Sequence, residues 1–277
     1  MHDGQGMKLT FIGGGNMAAA LVAGLAGQMT PGENIHVVDP NPAQLERLAD
    51  SFGVSTAAAI DEKVAASDVI VLAVKPQQMR AVAAALAPQL GKSPLVLSIA
   101  AGIRSADLLR WLDAYAAIVR CMPNTPALIG QGITGMVAMA GVSSAHREAA
   151  DSIMQAVGQT VWLDDEALID PVTAVSGSGP AYVFYFIEAM QQAAAELGLS
   201  AEQGKQLALA TFTGAAQLAA QSPDDVSTLR ERVTSKGGTT YAALQSMEQA
   251  GVKQAIVAAV KAAAARGVEL GKELGRD

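Results

Sequence analysis

The chain has 277 residues, enough for one large domain or two modest ones. With 51% hydrophobic and 16% charged residues it can fill a sizeable core, which excludes a disordered chain. A formal charge of −7 without any Lys/Arg run excludes a phosphate-binding stripe for nucleic acid or an acidic membrane surface, and no apolar stretch is long and continuous enough to span a bilayer.

Met1–Lys8 is polar and Gly-rich, lacks the apolar core of a signal peptide, and is expected to be a disordered leader. Lys8–Ile12 is strand-like, Asn16–Gln28 helical, Ile35–Asp39 a second strand, and Pro42–Phe52 a helix ended by Gly53. Val69–Val74 reads as a continuous apolar strand followed by a helix through Leu90. Leu95–Ala100 and Ala117–Cys121 are further strands, and Thr134–Ala140 and Thr160–Leu163 the last ones. Near-continuous Val/Ile/Leu strands separated by helices predict a parallel sheet covered on both faces. After Leu163 the chain is Ala-rich and helical. Helices are predicted over Pro180–Leu197, Ala201–Ala220, Asp224–Arg232, Thr239–Gln249 and Val252–Glu273, with Gly198 and Gly251 as stops. The fold class is therefore α/β: a Rossmann-type parallel-sheet domain over 1–163, then an all-α domain over 164–277. Tyr182–Ile187 is apolar all round and must be buried on every side. Leu207, Ala210, Thr211, Gly214, Ala215 and Leu218 form a small-residue face at helical spacing. Helices with such surfaces are expected to pack against a second copy.

Gly13-Gly14-Gly15-Asn16-Met17-Ala18 follows the first strand and opens the first helix, as the pattern G-x-G-x-x-A. Gly13 permits the tight turn, Gly15 lets the backbone approach a pyrophosphate, and Ala18 allows close helix–sheet packing. The alternative is a merely structural Gly-rich turn, but the strand–loop–helix context favours a dinucleotide. Asp39 ends the second strand 24 positions after Gly15, where an acid can bond the adenosine ribose 2′-OH and repel a 2′-phosphate. That reading favours NADH over NADPH; the other reading is a turn-forming Asp before Pro40. Ala73-Val74-Lys75-Pro76 and Ala100-Ala101-Gly102 leave two strands at their carboxyl ends, where ligands of open α/β sheets sit.

The three His are His2 in the leader, His36 in the second strand and His146 at a helix start, so none offers the proton-handling group an alcohol dehydrogenase needs. An imine substrate relaxes that need, because its nitrogen takes a proton from water or a hydroxyl. No Cys/His cluster suits zinc. The single Cys121 lies in an apolar run, reads as a buried core thiol, and fits a reducing compartment. Val233-Thr234-Ser235-Lys236-Gly237-Gly238-Thr239-Thr240 is a polar Gly-rich loop opening a helix. It suits a small carboxylate, or is an ordinary N-cap with a Gly turn. Ser176–Tyr182 (SGSGPAY) is likewise an N-cap region or part of a substrate wall, and Met122–Pro126 (MPNTP) breaks the chain after a strand.

Together GGGNMA (13–18), AVKP (73–76), MPNTP (122–126), SGSGPAY (176–182) and VTSKGGTT (233–240) resemble the pyrroline-5-carboxylate reductase family, from about Lys8 to Glu273. The resemblance implies reduction of L-1-pyrroline-5-carboxylate to L-proline with NADPH or NADH, in the cytoplasm, by an interlocked homodimer that assembles further into a decamer of five dimers. It implies that Ser235, Gly237, Gly238 and Thr239 hold the substrate carboxylate and that Thr240 is the catalytic residue at the ring nitrogen. Glu166 would match an acid near the substrate. Gly13, Gly15, Asn16, Met17, Asp39, Ala73, Val74, Lys75, Pro76, Ala100, Ala101 and Val233 would touch the nucleotide, and no metal is implied. Lys236 stands where many members have Pro, and Asp39 departs from the polar or basic pattern usual there. Among rivals, a β-hydroxyacid dehydrogenase-like enzyme would want a catalytic Lys on the long inter-domain helix, and Pro180–Leu197 contains none. A nucleotide-sensing protein that had lost catalysis would not need the hydroxyl-rich loop at 234–240.

Overall fold

Short runs of Val, Ile and Leu build the centre of the molecule, because β-branched side chains suit a pleated surface buried on both faces. The computed structural model describes residues 6–91 and 93–276, so the expectations for residues 1–5, His2 included, lie outside it. Among the described residues one sheet contains β1 (Leu9–Ile12), β2 (Ile35–Val38), β3 (Ser55–Ala57), β4 (Val69–Leu72), β5 (Leu95–Ser98), β6 (Ile118–Met122), β7 (Gly132–Ala138) and β8 (Gly158–Trp162). Their spatial order is β3-β2-β1-β4-β5-β6-β7-β8. The first six run parallel, with Phe11 opposite Val37 on one side and Val71 on the other. β7 pairs antiparallel with β6, and β8 parallel with β7. This reversal departs from the all-parallel expectation. The link from β6 to β7 is a short turn over Thr125–Ile129, too short for the crossover that parallel strands require.

Helices α1 (Asn16–Leu25), α2 (Pro42–Phe52), α3 (Met79–Leu86), α4 (Ser105–Trp111) and α5 (Ser144–Gln155) accompany the strands. Alternate side chains of each strand feed two cores. Phe11, Val71 and Leu97 join Leu21 and Ile153 on one face, while Ile70, Leu72 and Val96 join Met79 and Leu108 on the other. α2 has the expected bounds for local reasons. Asn41 caps it by accepting from the Ala43 N–H, Pro42 occupies its first position, and Gly53 ends it at φ 66°. α1 stops at Leu25, three residues short of expectation, because Gly27 turns the chain at φ 74° and its N–H bonds the Thr30 carbonyl. Gly6 and Met7, assigned to a leader, are tied down. Thr30 Oγ1 donates to the Met7 carbonyl at 2.8 Å and Asn34 Nδ2 to that of Gly6 at 3.1 Å. β3 and α4 were not anticipated: β3 has three residues and little apolar character, and α4 has seven.

By packing, the described residues up to Ser178 group with those from Ala263 onward, and Gly179–Ala262 form a second unit. Composition turns helical after Leu163, while packing divides at Ser178. The segment between is helical by its own hydrogen bonds yet belongs to the sheet unit. It comprises a 3₁₀ turn (Glu166–Leu168), the short α6 (Ile169–Val172) and a π-helical turn (Thr173–Gly177) in which the Ser178 N–H reaches the Thr173 carbonyl at 2.8 Å. Gly135 of β7 leaves the room that Val172 fills.

The second unit holds α7 (Gly179–Glu196), α8 (Ala201–Gln221), α9 (Val226–Arg232), α10 (Thr239–Gln249) and the start of α11 (Val252–Leu274), whose last turns belong to the sheet unit. Ser200 and Gln203 form a reciprocal capping box at α8. α7 and α8 pack through Phe186 edge-on to Phe212, with centroids 5.7 Å apart, and through Gly204 against Ala194. The single chain does not bury Tyr182–Ile187 on every side: Ile187 is buried, but Phe184 and Tyr185 are 60% and 75% exposed. The small-residue face of α8 is also open, with Leu207 and Leu218 exposed. Among the described residues no helix is long and apolar enough to cross a membrane.

Candidate active site

Glycine dictates the first strand–helix turn. Gly13 sits at φ 101°, and a Cβ there would fall 2.6 Å from the Ala73 carbonyl oxygen. The carboxyl ends of β1 and β4 therefore approach closely, and Gly13 lies against Ala73 and Val74. Gly15 is the N-cap of α1 in extended conformation, with no side-chain cap, and a Cβ on it would meet nothing within 4 Å. Asn16 and Met17 thus begin a helix whose first N–H groups have no intrahelical acceptor, next to the open space around Gly15. Unfilled donors, the positive helix end and room for a ligand fit a pyrophosphate.

Asp39 follows β2 and is half-buried. Its Oδ2 accepts the Gly14 N–H at 2.7 Å and its Oδ1 the Asn41 N–H at 2.8 Å, while Gln44 of α2 donates to the Gly14 carbonyl. Asp39 therefore forms the turn before Pro40, as one of its two readings expected, and it also ties that turn to the glycine loop. Lys75 precedes the turn Pro76–Gln78 and is exposed; Ala100, buried, and Ala101, exposed, follow β5. The structure gathers Gly13, Gly15, Asn16, Met17, Asp39, Ala73–Pro76, Ala100 and Ala101 at the carboxyl ends of β1, β2, β4 and β5, around the point where strand order reverses.

At the end of β6, Asn124 holds two motifs together. Its Nδ2 donates to the Ser176 carbonyl at 3.2 Å and its Oδ1 accepts the Ile133 N–H at 3.0 Å. A Cβ on Gly177 would meet Met122 Cε at 2.7 Å. MPNTP and the start of SGSGPAY are thus in direct contact. Beneath them lies an ionic network. Arg120 of β6 is buried and pairs with Glu166, Arg104 pairs with Asp170 at 2.7 Å, and Glu166 Oε1 also accepts the Ser105 N–H at 2.7 Å. Burial lowers the Arg120 pKa, and Glu166 counteracts that shift. For Glu166 burial acts upward, but the Ser105 N–H and Arg120 outweigh it, and the carboxyl titrates below its ordinary range. Glu166, expected among the substrate residues, is therefore committed to Arg120 and Ser105.

The loop before α10 belongs to the helical unit. Gly237 turns it at φ 75°, and the Gly238 N–H bonds the Ser235 carbonyl at 2.9 Å. Gly238 is the N-cap of α10 in extended conformation, again with no side-chain cap. Thr234 spends its hydroxyl on the Arg230 carbonyl at 2.6 Å. Val233, Ser235, Lys236, Gly237 and Thr239 are exposed and Thr240 is half-buried. The hydroxyls of Ser235, Thr239 and Thr240 are therefore not used to cap α10, and its free N-terminus suits a small carboxylate.

Sequence reasoning missed Arg104, Arg120, Asp170 and Gln44. Arg120 had a signal: a charge inside an otherwise apolar strand is almost always paired when buried. Gln44 had none, because its role depends on the approach of α2 to the glycine loop. Cys121 is fully buried, and burial pushes its thiol pKa far up, so it is inert. His36 is buried in β2 with Nδ1 2.8 Å from Ser55 Oγ, and the His146 N–H takes the Ser143 cap at the start of α5. Among the described residues no group of three or more His, Cys, Asp or Glu could hold a metal ion.

The strand order β3-β2-β1-β4-β5-β6, with a glycine loop at its reversal and an uncapped helix behind, defines a dinucleotide-binding domain of the Rossmann class. Residues 8–102 match the family model described as NADP oxidoreductase, coenzyme F420-dependent, and residues 166–270 match that for pyrroline-5-carboxylate reductase dimerisation. The pyrroline-5-carboxylate reductase of Pseudomonas aeruginosa is 48% identical over 269 residues, covering 97% of this chain and 98% of that one. The solved pyrroline-5-carboxylate reductase of Coxiella burnetii is 38% identical with a TM-score of 0.90, over 96% of this chain and 99% of that one. That of Plasmodium falciparum, solved with NADP bound, is 31% identical with a TM-score of 0.85, over 96% and 98%. The chain belongs to the pyrroline-5-carboxylate reductase family.

Proposed function

We propose that the protein reduces L-1-pyrroline-5-carboxylate to L-proline with NADPH or NADH, the last step of proline biosynthesis. The observation that carries the reading is a pair of helix starts, at α1 and α10, each capped by a glycine and by no side chain. Each offers unfilled N–H donors to an anion: a pyrophosphate at the first, the carboxylate of a small ring at the second. A bound reduced nicotinamide supplies the hydride that converts the C=N carbon to a saturated centre.

The chain's own work is positioning. Gly13, Gly15, Asn16 and Met17 receive the pyrophosphate, Asp39 the adenosine ribose, and Ala73, Val74, Lys75, Pro76, Ala100, Ala101 and Val233 line the nucleotide. Ser235, Gly237, Gly238 and Thr239 grip the substrate carboxylate. Thr240 hydrogen-bonds the ring nitrogen, the atom that must carry a proton in the amine product. Glu166 serves the substrate end as a positioning residue, through Arg120 and Ser105. In this reading residues 1–163 bind the nucleotide and 164–277 bind substrate and dimerise. The dimer is interlocked and five dimers form a decamer, in the cytoplasm, where a lone buried thiol is at home.

The test is oxidation of NADH and of NADPH, side by side, on addition of pyrroline-5-carboxylate, with proline identified as product. Absence of turnover with both nucleotides rejects the reading.

A further inference from the structure

We propose a second small-molecule site, for a compact carboxylate, in a cavity at the amino ends of β1, β2, β3 and β4, at the other end of the strands from the glycine loop. It shares no residue with the nucleotide and substrate positions given above.

The cavity follows from how the sheet is covered. β3 returns to β4 through residues 58–68, and this crossover carries one 3₁₀ turn (Val64–Ala66) where a helix would cover the face. Beneath it the side chains change character. Ile12, Val38, Ile70 and Leu72 on this face belong to the apolar core. One row across three strands is polar instead: Thr10 stands opposite His36, and His36 opposite Ser55. Thr10, His36 and Ser67 are buried. Thr10 Oγ1 and Ser67 Oγ lie 2.6 Å apart, and the His36 ring spans Ser55 Oγ at 2.8 Å and Asp61 Oδ1 at 3.1 Å. Two hydroxyls that share one hydrogen bond have one O–H hydrogen left over, a donor with use for an incoming acceptor.

Above this floor lies a cavity of about 220 Å³, and its rim carries Lys8, Lys63 and Glu33, all exposed. Among the described residues none of these three is in a salt bridge. Two ammoniums and a hydroxyl donor call for an anion. Glu33 on the rim and Asp61 beside His36 restrict it to a single charge, because a dianion would be repelled by both acids. A carboxylate of few heavy atoms meets these terms. Its source is a simple organic acid or an amino acid, whose ammonium would face Glu33.

The experiment follows the His36 ring by NMR in the full-length protein while acetate, glycine or inorganic phosphate is added at constant ionic strength. The chain has three His, so the His36 signal is identified by its loss in His36→Gln. Burial holds the His36 pKa below its ordinary 6.5, with Asp61 drawing it up and Lys63 pushing it down. A carboxylate seated beside the ring should raise that pKa and shift the His36 signal saturably, with a Kd on the order of 1 mM. Lys8→Gln and Lys63→Gln together should weaken binding about tenfold or more, with melting curves confirming the fold. Glu33→Gln separates the sources: weaker glycine binding marks an amino acid, whereas glycine binding that is unchanged or absent marks a simple acid. No saturable shift with either carboxylate overturns the proposal, as does phosphate binding as tight as that of acetate, or an affinity that the double lysine variant leaves unchanged. Displacement of the carboxylate by NADH would place it at the nucleotide and overturn it too. Because no turnover is measured, failure of imine reduction would sink the reductase reading and leave this result standing.

Discussion

Thr240 occupies the second position of α10, half-buried, with its hydroxyl free of any capping duty. Under the proposed role of Thr240, Thr240→Ala should remove one polar contact to the ring nitrogen. At about 1.5–3 kcal/mol the loss in kcat/KM is roughly 10–150-fold, and Thr240→Ser should recover part of it. Steady-state kinetics decide; unchanged values for the alanine variant would take Thr240 out of the chemistry. Gly13→Ala makes a different demand, because the new Cβ meets backbone, not a flexible side chain, at a positive φ. It should lower stability by about 1–3 kcal/mol and abolish detectable nucleotide binding, read by melting and titration. Gly13 was legible in the sequence because its need is backbone-deep and local. Gln44 and Asn124 were not readable as structural ties, because a side-chain amide declares its partner only once distant segments have met.

At the scale of elements, Arg120 and Glu166 join β6 to the start of α4 and to the segment before α6. Glu166 titrates below its ordinary 4.5, so the stability it contributes is complete above that value and is lost as the pH falls through its lowered pKa. Glu166→Gln should therefore cost about 1–3 kcal/mol near neutrality, with the gap to the wild type closing as the buffer is acidified. Melting temperatures across an acid series test this; a gap that stays constant with pH would assign the loss to packing instead of charge. The apolar strands and glycine-stopped helices were readable because periodicity and stop residues act within a few positions. β3 was too short and polar to stand out, and the direction of β7 and the π-helical turn at Thr173–Gly177 arise from pairing and packing that no local pattern encodes.

The helical unit has few buried side chains of its own, while Phe184, Tyr185, Leu207 and Leu218 stand open. A second copy covering them turns stability into a function of concentration. Phe184→Asp should lower both the sedimenting mass and the melting temperature. The same change on a surface that stays solvated would shift stability by no more than about 0.5 kcal/mol, so an unaltered mass and melting point would remove this face from the assembly. YVFYFI and the small-residue spacing of α8 pointed to a second copy, and the match to a dimerisation family model agrees; the geometry of assembly was not legible, since sequence records an apolar surplus but not the symmetry that would consume it.

The solitary thiol of Cys121 lies mid-strand in β6, shut away from solvent. An alkylating reagent in excess must wait for that strand to come loose, so the pace of labelling is a built-in clock for opening of the sheet. Nucleotide bound at the ends of the neighbouring strands should slow that clock, giving a readout of its grip that needs no engineered label.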